Sequence, residues 1–245
     1  MFFFSKFKPS LLECIPHEYI DIHSHLLPGI DDGAKNIEET ISLISKMKEI
    51  GIKKIITTPH IITDVWDNTE NSIISTFSQT LNAIPDTINQ GNFSCAAEYM
   101  LDSYFLKRMA TEKLLTLKQE YILVEMSYLY PPLQLYEIIF EIQLAGYKPI
   151  LAHPERYLFY HNNYKEYDKL KSSGCYFQLN LLSTVNYYGP MVTKVANKLI
   201  KDNVYNFVGS DIHHEKHIES FNRKIAIDDQ KLLIQLMEKN SFFAE

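Results

Sequence analysis

Hydrophobic positions along the chain follow two alternating patterns. Short runs rich in β-branched and aromatic residues, such as residues 52–58 and 120–124, are typical of buried strands. Segments such as residues 36–50 instead place apolar side chains every three or four positions, which predicts amphipathic helices. The predicted strands are residues 18–22, 52–58, 92–97, 120–124, 148–152, 176–179 and 205–209.

Helical segments separate these strands. They are residues 36–50, 67–83, 101–111, 133–145, 163–172, 190–202 and 228–239. Asn36 is a predicted N-cap, and Gly51 suits the end of the same helix. Strands that alternate with helices pair in parallel, so the pattern favours one closed or nearly closed α/β barrel. A doubly wound open sheet is the structural alternative.

No linker or low-complexity segment divides the 245 residues. We therefore expect a single domain over residues 1–245, with an N-terminal extension at 1–17 and a C-terminal helical segment at 218–245. Hydrophobic residues make up 46% of the chain and charged residues 22%, as in ordinary soluble enzymes. The net charge of −6, without a Lys/Arg-rich block, argues against nucleic acid as a partner.

Three scattered cysteines indicate reduced thiols and a cytoplasmic location rather than a disulfide framework. None of them, Cys14, Cys95 or Cys175, is followed by arginine six positions later, which excludes the Cys-x5-Arg loop of thiol-based phosphatases. No apolar run approaches the roughly 18 residues needed to span a bilayer, so we do not expect an integral membrane protein. The sequence does not indicate the oligomeric state.

Metal-binding residue types recur where the predicted strands end. His23 and His25 lie two positions apart on an extended segment, so their rings point the same way. In an α/β barrel the carboxyl ends of the strands form the catalytic face. The side chains at these ends are His23, His25, His60, Glu98, Glu125, His153, Asn180, Asp211 and His213. Taken together, they predict a metal site on that face.

The number of candidate ligands also constrains the site. They are His23, His25, Asp32, His60, Glu98, His153, Asp211 and His213. Eight ligands exceed what one ion takes, so the set suits two or three ions, with Glu98 able to bridge. Asp31 is expected to serve the turn, and Glu125 to have a structural or supporting role. Clustered cations favour metal-assisted hydrolysis, with a phosphate ester as the expected substrate.

Another hydrolase class also begins with a His-x-His strand. An amidohydrolase-like C–N hydrolase is therefore an alternative. That class has eight strands and often a metal-bridging lysine after the fourth, where this chain has Glu125 and Met126.

The motifs resemble those of the PHP (polymerase and histidinol phosphatase) superfamily. They are Asp21-Ile22-His23-Ser24-His25, Asp31-Asp32-Gly33, Thr58-Pro59-His60, Ala97-Glu98, Ala152-His153-Pro154-Glu155-Arg156-Tyr157 and Ser210-Asp211-Ile212-His213. Within the superfamily, the turn at residues 27–33 and the motif at 153–157 are similar to bacterial tyrosine-protein phosphatases of capsule and exopolysaccharide synthesis. The resemblance covers residues 18–215 and implies a single-domain, distorted (β/α)7 barrel.

The resemblance also implies an activity. It is that of a metal-dependent protein-tyrosine phosphatase with a metal-bound hydroxide as nucleophile. Its substrate would be phosphotyrosine in the C-terminal tail of a polysaccharide-export tyrosine kinase. Two or three divalent ions are expected, with manganese first and iron, zinc or cobalt as alternatives. Histidinol-phosphate phosphatase, or another small-molecule phosphatase, is the alternative within the superfamily.

Residue roles follow from the same resemblance. One ion matches His23, His25, Glu98 and Asp211; a bridged second matches Glu98 and His153; a third matches Asp32, His60 and His213. The catalytic residues it implies are Arg156, Asp211 and His213.

Arg156 matches an arginine that contacts the substrate phosphate. These phosphatases can carry a second arginine shortly after the Asp-x-His motif, but this chain has His214-Glu215-Lys216-His217-Ile218 there. Lys216 and His217 are the candidate substrate contacts in that segment, either to the phosphate or as the leaving-group acid. Tyrosines near the catalytic face, including Tyr128 and Tyr188, could shape a phosphotyrosine pocket, but with 16 tyrosines in the chain ordinary packing is favoured.

Overall fold

The computed structural model describes residues 8–86 and 91–244, and every strand pairing between its strands is parallel. The strands are β1 (Tyr19–Asp21), β2 (Ile52–Thr57), β3 (His60–Ile61), β4 (Phe93–Cys95), β5 (Glu98–Met100), β6 (Tyr121–Glu125), β7 (Lys148–Ala152), β8 (Tyr176–Asn180) and β9 (Phe207–Gly209). One sheet has the order β1-β2-β4, and the other has the order β3-β5-β6-β7-β8-β9.

The two sheets together follow the seven predicted strands. The second and third predicted strands correspond to β2 and β4, and each is followed, after an interruption, by a short strand beyond the predicted bounds: β3 after β2 and β5 after β4. Pro59 causes the first interruption because it has no backbone N–H to donate. Hydrogen bonds from Ala96 N to Thr57 O (2.8 Å) and from Glu98 N to Pro59 O (3.1 Å) keep the segments paired across the gap. The strands therefore lie in sequential order, as the predicted barrel requires.

First and last strands meet at what we call the seam. No strand ladder joins β1 to β9 in the described chain; a single parallel bridge pairs Ser24 with Ile212. Near it, His25 N donates to Ile212 O at 2.8 Å, and Asp211 N donates to His23 O at 2.7 Å. The chain is thus a distorted α/β barrel with an incomplete closure.

Eight α-helices are present in residues 8–86 and 91–244. They are α1 (Ile37–Glu49), α2 (Glu70–Ala83), α3 (Phe105–Thr111), α4 (Leu135–Leu144), α5 (Tyr164–Ser172), α6 (Pro190–Lys201), α7 (Glu215–Glu219) and α8 (Gln230–Glu238). The predicted cap is confirmed, since the Asn36 side chain accepts from Glu39 N. Helix α2 begins three residues later than predicted because Thr69 and Ser72 form a capping box.

The C-terminal residues close the end of the barrel opposite the strand carboxyl termini. A 3₁₀ turn at Lys239–Phe243 packs there, with the Phe243 ring 4.9 Å from that of Phe207 at the start of β9. Asn240 in this turn is fully buried. None of the helices in the described chain combines the length and apolarity needed to cross a membrane.

Candidate metal centre

All eight predicted ligands converge at the carboxyl ends of the strands. Their nitrogen and oxygen atoms form groups in which every ligand atom lies within 4.8 Å of the others. These groups are His25-Asp32-His60-His213, His23-Glu98-His153, His23-His25-Asp211 and His60-Glu98-Glu125. The spacing is that of side chains able to share metal ions.

Glu98 occupies the middle of the cluster and is fully buried. Its Oε2 atom lies 3.1 Å from His23 Nε2, 3.4 Å from His25 Nε2 and 3.2 Å from His60 Nδ1. Its Oε1 atom lies 3.2 Å from His153 Nε2. Because its two oxygens face different histidines, this carboxylate could contribute one oxygen to each of two ions.

Asp211 provides the second central carboxylate. Its Oδ1 atom lies 3.3 Å from His23 Nε2, 3.5 Å from His25 Nε2 and 3.4 Å from His213 Nδ1. Asp32 also reaches the cluster, with Oδ1 3.3 Å from His213 Nε2 and 3.5 Å from His60 Nε2. The Asp32 side chain is 55% exposed, so this is the solvent-facing side of the cluster.

Glu125 also belongs to the cluster, although the sequence assigned it a structural or supporting role. Its Oε1 atom lies 2.8 Å from His60 Nδ1, and both residues are largely buried. Neither atom makes a hydrogen bond within the described residues. The available signal was its position at the end of β6, which it shares with the predicted ligands at the other strand ends.

The turn after β1 fixes the orientation of His25. Asp31 Oδ2 lies 2.8 Å from His25 Nδ1, while Asp31 Oδ1 accepts from Gly33 N at 3.0 Å. A Cβ on Gly33 would lie 2.0 Å from the backbone oxygen of His25, so only glycine fits this approach. Asp31 thus supports the turn and the ring, as predicted, and leaves Asp32 to face the cluster.

Gln178 orients His23, a role that the sequence did not reveal. Its Oε1 atom lies 2.9 Å from His23 Nδ1, which directs His23 Nε2 toward Glu98. Gly209 makes room for this pair: a Cβ there would lie 2.6 Å from His23 Cβ and 2.7 Å from Gln178 Nε2. Gln178 lies two residues before the end of β8 and faces inward. The only signal for this in the sequence was that alternate residues of a strand point to the same side.

The electrostatics of the cluster depend on close carboxylate–imidazole contacts. Burial opposes the charge of Glu98, but His23 and His60 outweigh it and hold its pKa well below the usual value. Burial also disfavours charge on His25, yet Asp31 and Glu98 raise its pKa well above normal. For His60 the facing Glu125 outweighs burial and raises the pKa to about 9. Buried carboxylates here therefore require positive charge beside them.

Divalent ions fit this donor set. Imidazole nitrogens and carboxylate oxygens are ligands for zinc, manganese and iron. His60 Nδ1, Glu125 Oε1 and His153 Nδ1 are buried without a hydrogen-bond partner in the part of the chain that is described. The first two face each other, as two ligands of one ion would. Glu98, Glu125 and Asp211 are buried carboxylates that such ions would neutralise.

A cavity of about 520 Å³ opens onto the cluster, and Arg156 lies in its wall. Arg156 Nη1 donates to Asp211 Oδ2 at 2.7 Å. Its guanidinium lies 4.1 Å from the centre of the Tyr188 ring and 4.7 Å from that of Tyr128. Asn180 Nδ2 donates to Asp211 Oδ2 at 2.8 Å and to the Tyr188 hydroxyl at 3.1 Å. These two tyrosines, attributed to packing from the sequence, therefore flank the arginine.

The two remaining predicted substrate contacts occupy different places. His217 lines the cavity and is buried, and its Nδ1 accepts from His213 N at 3.1 Å. Burial and the neighbouring His214 lower the pKa of His217 to about 3. Lys216 is exposed and does not line the cavity. It lines an adjacent depression, to which Asp32 also contributes.

Fold and site together define an α/β-barrel protein with a candidate multinuclear metal centre. The sequence model of the family described as capsular polysaccharide synthesis, CpsB/CapC, matches residues 19–228. The chain belongs to this family. The resemblance deduced from the motifs is confirmed.

Relatives in this family are named tyrosine-protein phosphatases. The chain is 30% identical over 204 residues to tyrosine-protein phosphatase YwqE of Bacillus subtilis, covering 80% of this chain and 78% of YwqE. It is 29% identical over 203 residues to tyrosine-protein phosphatase CpsB of Streptococcus pneumoniae, covering 80% and 83%.

A solved structure from the same pair of proteins confirms the fold. It comes from work on YwqE and CpsB as unique metal-dependent tyrosine phosphatases. It superimposes with a TM-score of 0.77 and 26% identity, covering 91% of this chain and 93% of that chain.

Proposed function

We propose that this protein is a metal-dependent protein-tyrosine phosphatase. The observation that carries the proposal is the meeting of a His/Asp/Glu cluster and Arg156 at one cavity. Two or three divalent ions would be held by the eight predicted ligands together with Glu125. When bound, they would supply Lewis acidity and an activated water near neutral pH. YwqE and CpsB, both named tyrosine-protein phosphatases, support this assignment.

Arg156 would bind the phosphoryl group. A guanidinium is a planar fork of donors that matches phosphate oxygens. Asp211 accepts a hydrogen bond from Nη1 of Arg156, and the rings of Tyr188 and Tyr128 contact the guanidinium and restrain its plane. Asp211 thus has two tasks, because Oδ1 faces the histidines and Oδ2 orients the arginine.

His217 is the second proposed phosphate contact. Its Nδ1 accepts a backbone hydrogen bond from His213, so the neutral ring carries its proton on Nε2 and can donate from the cavity wall. Lys216 lies outside the lining of the cavity, so we assign this contact to His217 instead.

The apolar and aromatic part of the cavity wall suits the ring of a phosphotyrosine. Ile62, Trp66, Met100, Tyr128 and Tyr188 contribute to it. We propose phosphotyrosine in a protein as the substrate, specifically the tail of a polysaccharide-export tyrosine kinase. A cytoplasmic location and manganese as the resident metal belong to the same proposal.

Metal analysis coupled to a phosphatase assay tests the proposal. Purified protein should contain two or three transition-metal ions and hydrolyse p-nitrophenyl phosphate. Chelation should abolish the activity and Mn²⁺ should restore it. His25→Ala should lose metal and activity, whereas His17→Ala, an exposed histidine remote from the cluster, should keep both. Activity that survives exhaustive chelation would refute the mechanism.

Substrate class is tested by comparing kcat/KM on a phosphotyrosine peptide and on histidinol phosphate. A clear preference for the peptide supports the proposed substrate. A preference for histidinol phosphate would assign the protein to the small-molecule phosphatases instead.

A further inference from the structure

A second, largely apolar groove of about 530 Å³ lies beside the catalytic cavity. Its apolar lining includes Ile62, Met100, Leu106, Tyr130, Pro132 and Leu133. The cavity and the groove share Ile62, Met100 and Ser127 as lining residues, so the two are continuous.

One loop forms the wall between the two spaces. The segment 126–134 joins β6 to α4 and contributes Tyr128 to the cavity and Tyr130 to the groove. Large apolar side chains of this loop face solvent: Leu129 is 80% exposed, Tyr130 67%, and Leu133 fully exposed. Such a cluster beside a catalytic cavity is typical of a surface that binds an apolar group.

The charge of the groove narrows the choice of ligand. Among the residues that the structure describes, its lining contains one carboxylate, Asp102, and no lysine or arginine. Both carboxylate oxygens of Asp102 already accept backbone hydrogen bonds, Oδ2 from Thr63 N and Oδ1 from Tyr104 N. A phosphate or an acidic side chain would meet no cation there. An apolar side chain would cover the exposed leucine and tyrosine surfaces.

We propose that the groove binds an apolar side chain adjacent to the phosphotyrosine in a protein substrate. This inference rests on the proposed phosphatase function and specifies its substrate. An extended peptide advances about 3.3 Å per residue, and the two spaces share lining residues, so a side chain only a few residues from the phosphotyrosine would reach the groove. A small phosphate ester has no group that reaches it, so the groove favours phosphoproteins over free phosphate esters.

Leu133→Ser is the critical variant, because this fully exposed side chain makes no contribution to the buried core. The matched control is Leu144→Ser, since Leu144 is 70% exposed at the end of α4 and lines neither space. The substrates are p-nitrophenyl phosphate and phosphotyrosine peptides that carry leucine or serine at each position within three residues of the phosphotyrosine.

At one peptide position, the unmodified protein should prefer leucine to serine by about tenfold in kcat/KM. Leu133→Ser should remove that preference by raising KM, with p-nitrophenyl phosphate hydrolysis unchanged. Leu144→Ser should keep it. Equal kcat/KM for all peptides, or an equal loss on peptide and p-nitrophenyl phosphate, would overturn the inference.

Sedimentation of each variant distinguishes a competing occupant. If Leu133→Ser changes the association state and leaves peptide preference unaltered, the groove binds a second copy of the chain, and the inference is wrong. Hydrolysis of p-nitrophenyl phosphate separates the two hypotheses. Its absence refutes the phosphatase function, whereas its presence without a flanking preference refutes only the groove.

Discussion

The side chain of Asn240 takes the place of a strand ladder at the seam. Its Nδ2 donates to Ile20 O at 2.8 Å and to Val208 O at 2.7 Å, and its Oδ1 accepts from Val208 N at 3.1 Å. One amide thereby joins β1 and β9 at the end of the barrel opposite the metal centre. Replacement of Asn240 by alanine should separate the strands there.

The expected cost follows from the groups left without partners. The Val208 N–H loses its acceptor inside the protein, which costs about 1–3 kcal/mol. The Ile20 and Val208 carbonyls each lose one hydrogen bond, at about 0.5–1.5 kcal/mol apiece. Asn240 has no exposed surface, so bulk water does not replace these bonds. We expect Asn240→Ala to lower the free energy of unfolding by about 3–5 kcal/mol.

Urea unfolding followed by circular dichroism measures this loss. Asn197→Ala is the control, because the side-chain amide of Asn197 is partly exposed and makes two hydrogen bonds, both to Asp228. Solvent can satisfy the groups it leaves, so its cost should stay within about 1 kcal/mol. If both variants unfold at the same urea concentration as the unmodified protein, the seam is not held by Asn240.

Two further predictions concern the metal centre. Glu98→Gln should lose bound metal and nearly all activity, whereas Arg156→Ala should keep the metal and lower kcat/KM by about 10–100-fold. Metal analysis and phosphatase kinetics of both variants measure these effects. A larger loss of activity in Arg156→Ala than in Glu98→Gln would contradict the assigned roles. Gly209→Ala should weaken metal binding by about 10–100-fold by displacing His23, as measured by metal titration. Gly146→Ala is the control: its φ of 89° strains an alanine there, but no atom lies within 4 Å of the added Cβ, so the variant should lose stability and keep its metal affinity. Equal affinities of the two variants would show that the close approach at Gly209 does not matter.

The meeting of His, Asp and Glu side chains at the strand ends was predictable because two independent signals in the sequence coincided. Short β-branched runs gave the strands, and a metal-binding residue type followed most of them. Glu98 and His153, for example, lie 55 positions apart but end 3.2 Å from each other, as parallel pairing requires. Local chemistry and global topology agree here, so the sequence was sufficient to predict which side chains meet at one place in the fold.

Other site residues carry no local signature. Glu125 is the last residue of a buried strand. A carboxylate at such a position can equally be an ordinary solubilising or capping group, so its residue type alone does not indicate a role in the site. Gln178 and Gly209 act through a contact with His23, more than 150 positions away in sequence. Asn240 lies in a C-terminal turn whose partners are β1 and β9. Such roles depend on tertiary placement, which hydrophobic periodicity does not specify.

Two of the predicted ligands have backbone conformations that residues other than glycine rarely adopt. His153 has φ = 37° and Asp211 has φ = 54°, each immediately or shortly after a strand ends. Left-handed residues of this kind cost about 1–3 kcal/mol each, so surrounding structure must impose them. His153 N donates to Gln178 O at 2.9 Å, and Asp211 N donates across the seam to His23 O at 2.7 Å. Backbone hydrogen bonds to β8 and to the segment after β1 therefore fix both residues. The geometry of the candidate site thus originates in the strands of the barrel and in the seam between β1 and β9.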